Sequence, residues 1–277
     1  MSYSTMTPTT PFDYLDNTTF EVIPNKCSLT LSAIGILLTL TAFSLFLYVY
    51  LRHITHSPIN SWYVHFILLL GTLMLFVLII SMETADYVWD IYLYLGVFLQ
   101  LPFSTCFSSL FTLSLNMIIY KYLKINNNKV LVFITLFLIL IIPFITVRLY
   151  HQTLPNLQYI HTLQHALSYN LFNIYYLYCY LLLIVSVSMC LNADIKDIHG
   201  KLLFSTVTAT WILWTIHCFT LGLMFSTYII ILTSYIILFV YIIPYCVIVY
   251  KAFNNSFLPP PRLNYNKIEI KTRYHLL

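Results

Sequence analysis

Charge is what this chain has least of. Only 13 Lys/Arg and 9 Asp/Glu occur in 277 residues, against 60% apolar and 17% aromatic residues. A soluble domain carries roughly 25% charged residues, so this composition excludes a water-soluble globular protein and leaves a polytopic membrane protein. A cleavable signal peptide is not expected either, because the first 27 residues hold no apolar core of the required length. The first apolar segment is therefore expected to act as an uncleaved targeting signal. A disulfide framework is not expected either. Of the six cysteines, Cys106, Cys179, Cys190, Cys218 and Cys246 fall inside expected spans, where a thiol behaves as a small apolar residue. Cys27 alone lies outside them, and it is read as a free or intermolecular thiol.

Catalytic signatures are equally scarce. There is no Gly-x-Ser-x-Gly elbow, no paired carboxylate, no phosphate-binding glycine loop and no His-Glu-x-x-His, so an enzyme is not expected and no cofactor is implied. No Asp, Glu, Lys or Arg stands in the middle of any span, which argues against an ion-coupled transporter, a proton pump or an intramembrane metalloprotease. His161 and His165 are four residues apart but have no third ligand, so no metal site is expected. His65 and His217 are each alone on their segment and are read as interhelical hydrogen-bonding residues. Basic residues are dispersed along a rim, which suits anionic lipid of the bilayer and gives no basis for nucleic-acid binding.

What is present is a series of uncharged runs: His53 to Met82, Ile91 to Tyr120, Val130 to Val147, Leu149 to Ala193 and Leu202 to Tyr250. A membrane-spanning helix needs about 20 apolar residues. The last run would make a rod of roughly 74 Å at 1.5 Å per residue, so it must turn back once. The expected fold is all-α, a seven-transmembrane helix bundle with spans at 29–51, 61–82, 91–122, 130–150, 171–192, 202–226 and 228–252. Residues 1–28 then form an N-terminal tail, 29–252 the bundle and 253–277 a short C-terminal tail. The loop 151–170 places Leu157, Ile160, Leu163 and Leu167 at near-helical spacing. It is expected to lie on the membrane surface, to cover the bundle mouth, or simply to connect two spans.

Orientation follows from the cations. Arg52, Lys121, Lys124, Lys129, Lys196, Lys201, Lys251, Arg262, Lys267, Lys271 and Arg273 all fall on one side of that topology, and only Lys26 and Arg148 on the other. Positively charged loops stay in the cytoplasm, so the N-terminus is expected to be extracellular and the C-terminus cytoplasmic. Asn17-Thr18-Thr19 is a glycosylation sequon consistent with that orientation, with Asn17 as the acceptor.

Several local patterns resemble rhodopsin-class (class A) G-protein-coupled receptors. Tyr120-Lys121-Tyr122-Leu123 resembles the Asp-Arg-Tyr-Leu signature closing the third span, with Lys121 in the Arg position. Trp89 and Gly96 keep the family's spacing to it, with Gly96 where the family has its disulfide Cys. Tyr250 to Phe257 resembles the end of the Asn-Pro-x-x-Tyr motif, although Pro244 lies one turn early. Trp211 resembles the sixth-span toggle Trp, with Trp214 as a rival. Gly71 stands where the family carries its sodium-site Asp. The resemblance implies Tyr120, Lys121 and Tyr122 as a heterotrimeric G-protein contact. It implies Trp211, Pro244 and Tyr250 as switch residues, in an activation apparatus that has lost its acids.

The segment Met6 to Asp16, followed by Cys27, resembles the tails of herpesvirus-encoded chemokine-receptor homologues. Asp13, Tyr14 and Asp16 are then the expected ligand-binding residues, because an acidic tail with a sulfatable Tyr attracts basic protein ligands such as chemokines. Beyond the last span, Pro259-Pro260-Pro261 stops helix growth. The tail then carries Tyr265 to Ile268 and Tyr274 to Leu277, two Tyr-x-x-apolar patterns of the kind clathrin adaptors read in extended conformation. The leading expectation is a viral receptor homologue on host plasma and endosomal membranes, with weak, constitutive or lost G-protein signalling. A second is a non-signalling protein that diverts host immune-surface molecules into endocytosis, and a third is a channel or carrier.

Overall fold

The computed structural model describes residues 26–53, 62–84, 91–123, 128–153, 161–193, 198–221 and 227–257. Among these residues every regular element is helical. The order is α1 (Lys26–His53), α2 (Trp62–Thr84), α3 (Ile91–Leu123), α4 (Asn128–Thr153), α5 (His161–Asn192), α6 (Ile198–Leu221) and α7 (Thr227–Ile236). A π-helical segment (Ile237–Ile242) then leads directly into α8 (Ile243–Phe257), so α7, the π segment and α8 make one continuous rod. Five stretches are long and apolar enough to cross a bilayer: Lys26–Val49, Trp62–Thr84, Gln100–Tyr122, Tyr175–Asn192 and Thr227–Lys251. In α4 the apolar stretch is shorter, Val130–Ile141. In α6, Thr206, Thr208, Thr210, Trp211, Trp214 and His217 interleave polar groups with the apolar residues. This is the architecture of a helical, multi-pass membrane protein.

The helices form despite many β-branched residues because a bilayer leaves no other way to satisfy the backbone. Hydroxyl side chains adapt to the same constraint. Ser32, Thr39, Thr72, Ser109, Ser186 and Ser234 each donate to the carbonyl one turn earlier, so a polar residue can be buried without a partner on another helix. The outward surface is apolar: Leu37 is 65% exposed, Phe133 69% and Phe219 87%. Such a surface would aggregate in water and suits lipid.

The bundle is organised around α3, which packs on α2, α4, α5 and α6. Gly71 sets the approach of α2 to α3. A Cβ added there would sit 2.9 Å from both Cys106 Sγ and Thr105 Cγ2, so the position that resembles a sodium-site acid has no room for one. Gly35 does the same between α1 and α2, where a Cβ would lie 2.3 Å from the Phe76 ring. On the other flank, Thr135 donates to Thr112 across 2.9 Å, and Tyr178 donates to the Leu138 carbonyl across 2.8 Å, tying α4 to α3 and α5.

Helix positions agree with the expected spans to within a few residues, with one exception. The fifth helix starts at His161, ten residues before the expected 171, so the second half of the 151–170 segment is helix continuous with α5. Leu163 and Leu167 owe their near-helical spacing to this, while Leu157 and Ile160 lie outside the described residues. Of the sixth span, Ile198–Leu221 is described as helix and residues 222–226 lie outside the described residues, while α8 includes residues up to Phe257.

Candidate functional site

Two aromatic clusters occupy the interior. Mid-bundle, Phe103 and Phe107 stand one turn apart on α3, which places them on the same face. Their rings meet the edge of the fully buried Trp214 of α6 at centroid distances of 5.4 and 5.0 Å, both near perpendicular. Tyr176 of α5 stacks on the other side of the indole at 4.6 Å. The indole N–H, which would be costly to bury unpaired, donates to Thr233 Oγ1 of α7 across 3.1 Å. One side chain thus joins α3, α5, α6 and α7.

The second cluster lies toward the end where α1 terminates and α2 and α6 begin. Here His65 of α2 is 3% exposed, and its Nε2 lies 2.9 Å from the Tyr241 hydroxyl. The same hydroxyl lies 3.3 Å from Nε2 of His199, in the first turn of α6. Tyr245 of α8 stacks on the His65 imidazole at 4.2 Å and 10° between planes, and Phe46 of α1 flanks it at 6.4 Å. A small cavity here is lined by Phe46, His65, Leu68, Tyr241, Tyr245 and Cys246, among others.

Tyr241 reaches this position because of the π segment. Pro244 has no N–H to give the Val240 carbonyl and its ring crowds that carbonyl. Just upstream, the Ile243 N–H bonds to the Leu238 carbonyl, five residues back, in the wider π pattern. A π turn adds a residue to the helical circuit and rotates what precedes it; such turns often occur at functional sites.

The expected site residues fall in different places. Tyr120 and Tyr122 are 55% and 67% exposed at the end of α3. Between them, Lys121 donates to the Asn192 backbone carbonyl across 2.5 Å, so it caps the end of α5 while its ammonium lies 5.4 Å from the Tyr122 ring centroid. Trp211 is half-buried and packs against the core, and its indole nitrogen is shielded without a hydrogen-bond partner. Pro244 is half-buried and Tyr250 is 38% exposed, both on α8. These residues do not converge on one site: Trp211 belongs to α6, Pro244 and Tyr250 to α8, and Lys121 to the α3–α5 junction. Asp13, Tyr14, Asp16, Asn17, Tyr265, Ile268, Tyr274 and Leu277 lie outside the described residues.

His65 makes the interhelical hydrogen bond expected of it. His199 lies outside the sixth span expected from the sequence, which begins at 202; its signal is that it stands four residues, about one helical turn, before the buried Leu203. Cys106, Cys179, Cys190 and Cys246 are buried and unbridged, and Cys27 is exposed. Among the described residues no group of three His, Cys, Asp or Glu side chains comes together to hold a metal ion. No protein-family model matches the chain, and no curated protein matches it in sequence.

Proposed function

We propose that this protein is a receptor-like seven-helix membrane protein that binds an extracellular protein ligand, chemokine-like in being basic, and that its G-protein signalling is weak, constitutive or lost. The observation that carries this reading is Lys121. It sits at the end of the central helix α3, in the register of the receptor family's signature Arg, and it engages the last turn of α5. A lysine supplies a point charge without the forked guanidinium of Arg, and here that charge already serves a backbone carbonyl. Gly71, packed without space for an acid, fits the same picture of a receptor scaffold with a reduced switch.

On this reading Asp13, Tyr14 and Asp16 attract the ligand, Asn17 carries glycan, and Tyr120, Lys121 and Tyr122 face the G protein on the cytoplasmic side. Labelled chemokines are expected to bind cells displaying the protein and to lose binding when residues 1–27 are removed. Lys121→Ala is expected to leave surface level intact and to lower basal G-protein output; unchanged output in a system with measurable basal activity would remove the assignment. The two Tyr-x-x-apolar patterns favour a second reading, a non-signalling diverter of host surface molecules into the endocytic route. In that case Tyr265→Ala with Tyr274→Ala traps the protein at the surface, and chemokine binding is absent.

A further inference from the structure

We propose that His65, His199 and Tyr241 form a binding site for a divalent first-row metal ion of the zinc type, clamping α2 and α6 to the π segment of the seventh rod. The donors come from three separate elements and meet at one point. Nε2 of His65 lies 2.9 Å from the Tyr241 hydroxyl oxygen, and Nε2 of His199 lies 3.3 Å from the same oxygen. One hydroxyl is satisfied by one imidazole; a second imidazole nitrogen brought to the same oxygen completes a set of three lone-pair donors. No spacing along the chain announces the site, since its donors stand 176 and 42 residues apart. The third donor is a phenol, so the site is not one of three His, Cys, Asp or Glu side chains.

The geometry fits a tetrahedral ion. Zinc takes imidazole nitrogen at about 2.0–2.1 Å and anionic oxygen at about 2.0–2.2 Å, which sets neighbouring donor atoms about 3.3 Å apart. The His199 separation has that value, and the His65 separation is a few tenths of an ångström short of it. Two imidazoles on one such ion also place their ring centroids about 5 Å apart. Those of His65 and His199 lie 5.5 Å apart, with planes at 74°. Tyr245, stacked on the His65 ring at 4.2 Å, holds that ligand in orientation, as the surroundings of a metal site must. Coordination replaces the hydrogen bonds at Tyr241: the phenol proton passes to water, and the phenolate offsets one of the two charges brought in. Three protein donors leave a fourth position for water. His199 is in the first turn of α6 and His65 in the first turn of α2, so an ion reaches them from the end of the bundle without crossing the apolar interior.

The test uses the full chain in detergent micelles, stripped with a chelator and titrated with Zn²⁺. Cys27→Ser, His161→Gln and His165→Gln are present throughout, removing the exposed thiol and the histidine pair one turn apart on α5. One tightly held ion per chain is expected, with a rise in the thermal midpoint. Co²⁺ in its place is expected to give the intense visible absorption of a tetrahedral site. Loss of an outer-shell partner already costs about 10–100-fold in metal affinity, so His65→Gln, His199→Gln and Tyr241→Phe are each expected to weaken binding by more than about tenfold. Absence of a stoichiometric ion overturns the proposal, as does binding unchanged in either Gln variant. Should the Gln variants not fold, Cu²⁺ in the otherwise unaltered background decides: its electron paramagnetic resonance is expected to show coupling to two imidazole nitrogens, and coupling to one or none overturns the site.

Discussion

The Trp214 cluster and the His65 cluster are built from rings of similar size, each drawn from four or more helical elements, yet they hold the bundle in different ways. Around Trp214 the contacts are edge-to-face and stacked aromatic pairs, a hydrogen bond from the indole N–H to Thr233 and one from the Tyr176 hydroxyl to the Trp214 carbonyl. These contacts join α3, α5, α6 and α7 chiefly through the faces and edges of rings, and His217 of α6 adds its imidazole beside Tyr176 at 6.5 Å. Around His65 a single phenol oxygen serves two imidazoles, so the joint is made of polar contacts shared at one atom. Comparable packing gives a fixed core where donors and acceptors are matched in one way only. It gives a core of shared polar contacts where one oxygen must serve two rings.

The comparison can be broken most directly at Trp214. Trp214→Ala removes the largest fully buried side chain and orphans the Thr233 contact. Truncation of a buried Trp costs about 3–5 kcal/mol, so a large fall in the thermal midpoint in detergent is expected. Tyr241→Phe is expected to have a smaller effect. It keeps the ring stacks and leaves two buried imidazole nitrogens without the hydroxyl, a loss of about 1–3 kcal/mol. The loss is read as a fall in the thermal midpoint in detergent, smaller than that of Trp214→Ala. The smallest change in midpoint is expected from Pro244→Ala, which restores a backbone donor to the seventh rod. It sharpens the comparison by separating the π turn from the core: the Tyr241 contacts should shift while the Trp214 cluster is untouched.

Much of this molecule was legible along the chain. Uncharged runs set the helices, because a charge within a bilayer-spanning segment is costly enough to be excluded from it, and α1, α2, α3 and α4 begin within a few residues of where those runs predict. The start of α5 was less legible, since polar residues such as Gln164, His165 and Asn170 mask a helix that extends beyond the apolar run. Trp211 and Trp214 are three apart and nearly equivalent in sequence. Only packing shows that Trp214 is enclosed and Trp211 is half-exposed. Gly71 illustrates the opposite case: as a sequence feature it reads as a lost acid, and the structure adds the reason that α2 and α3 approach too closely for any side chain.

The sequence by itself determined that this is a helical membrane protein and where its helices run. Those properties follow from the free energy of placing each residue in lipid or water, which is local and additive along the chain. Tertiary structure alone decided that His65, Tyr241 and His199, separated by up to 176 residues, share one oxygen. It also decided that a π turn before Pro244 brings Tyr241 to them. Such a meeting depends on helix rotation and interhelical distance, which no residue encodes singly and which arise only when all the helices pack at once.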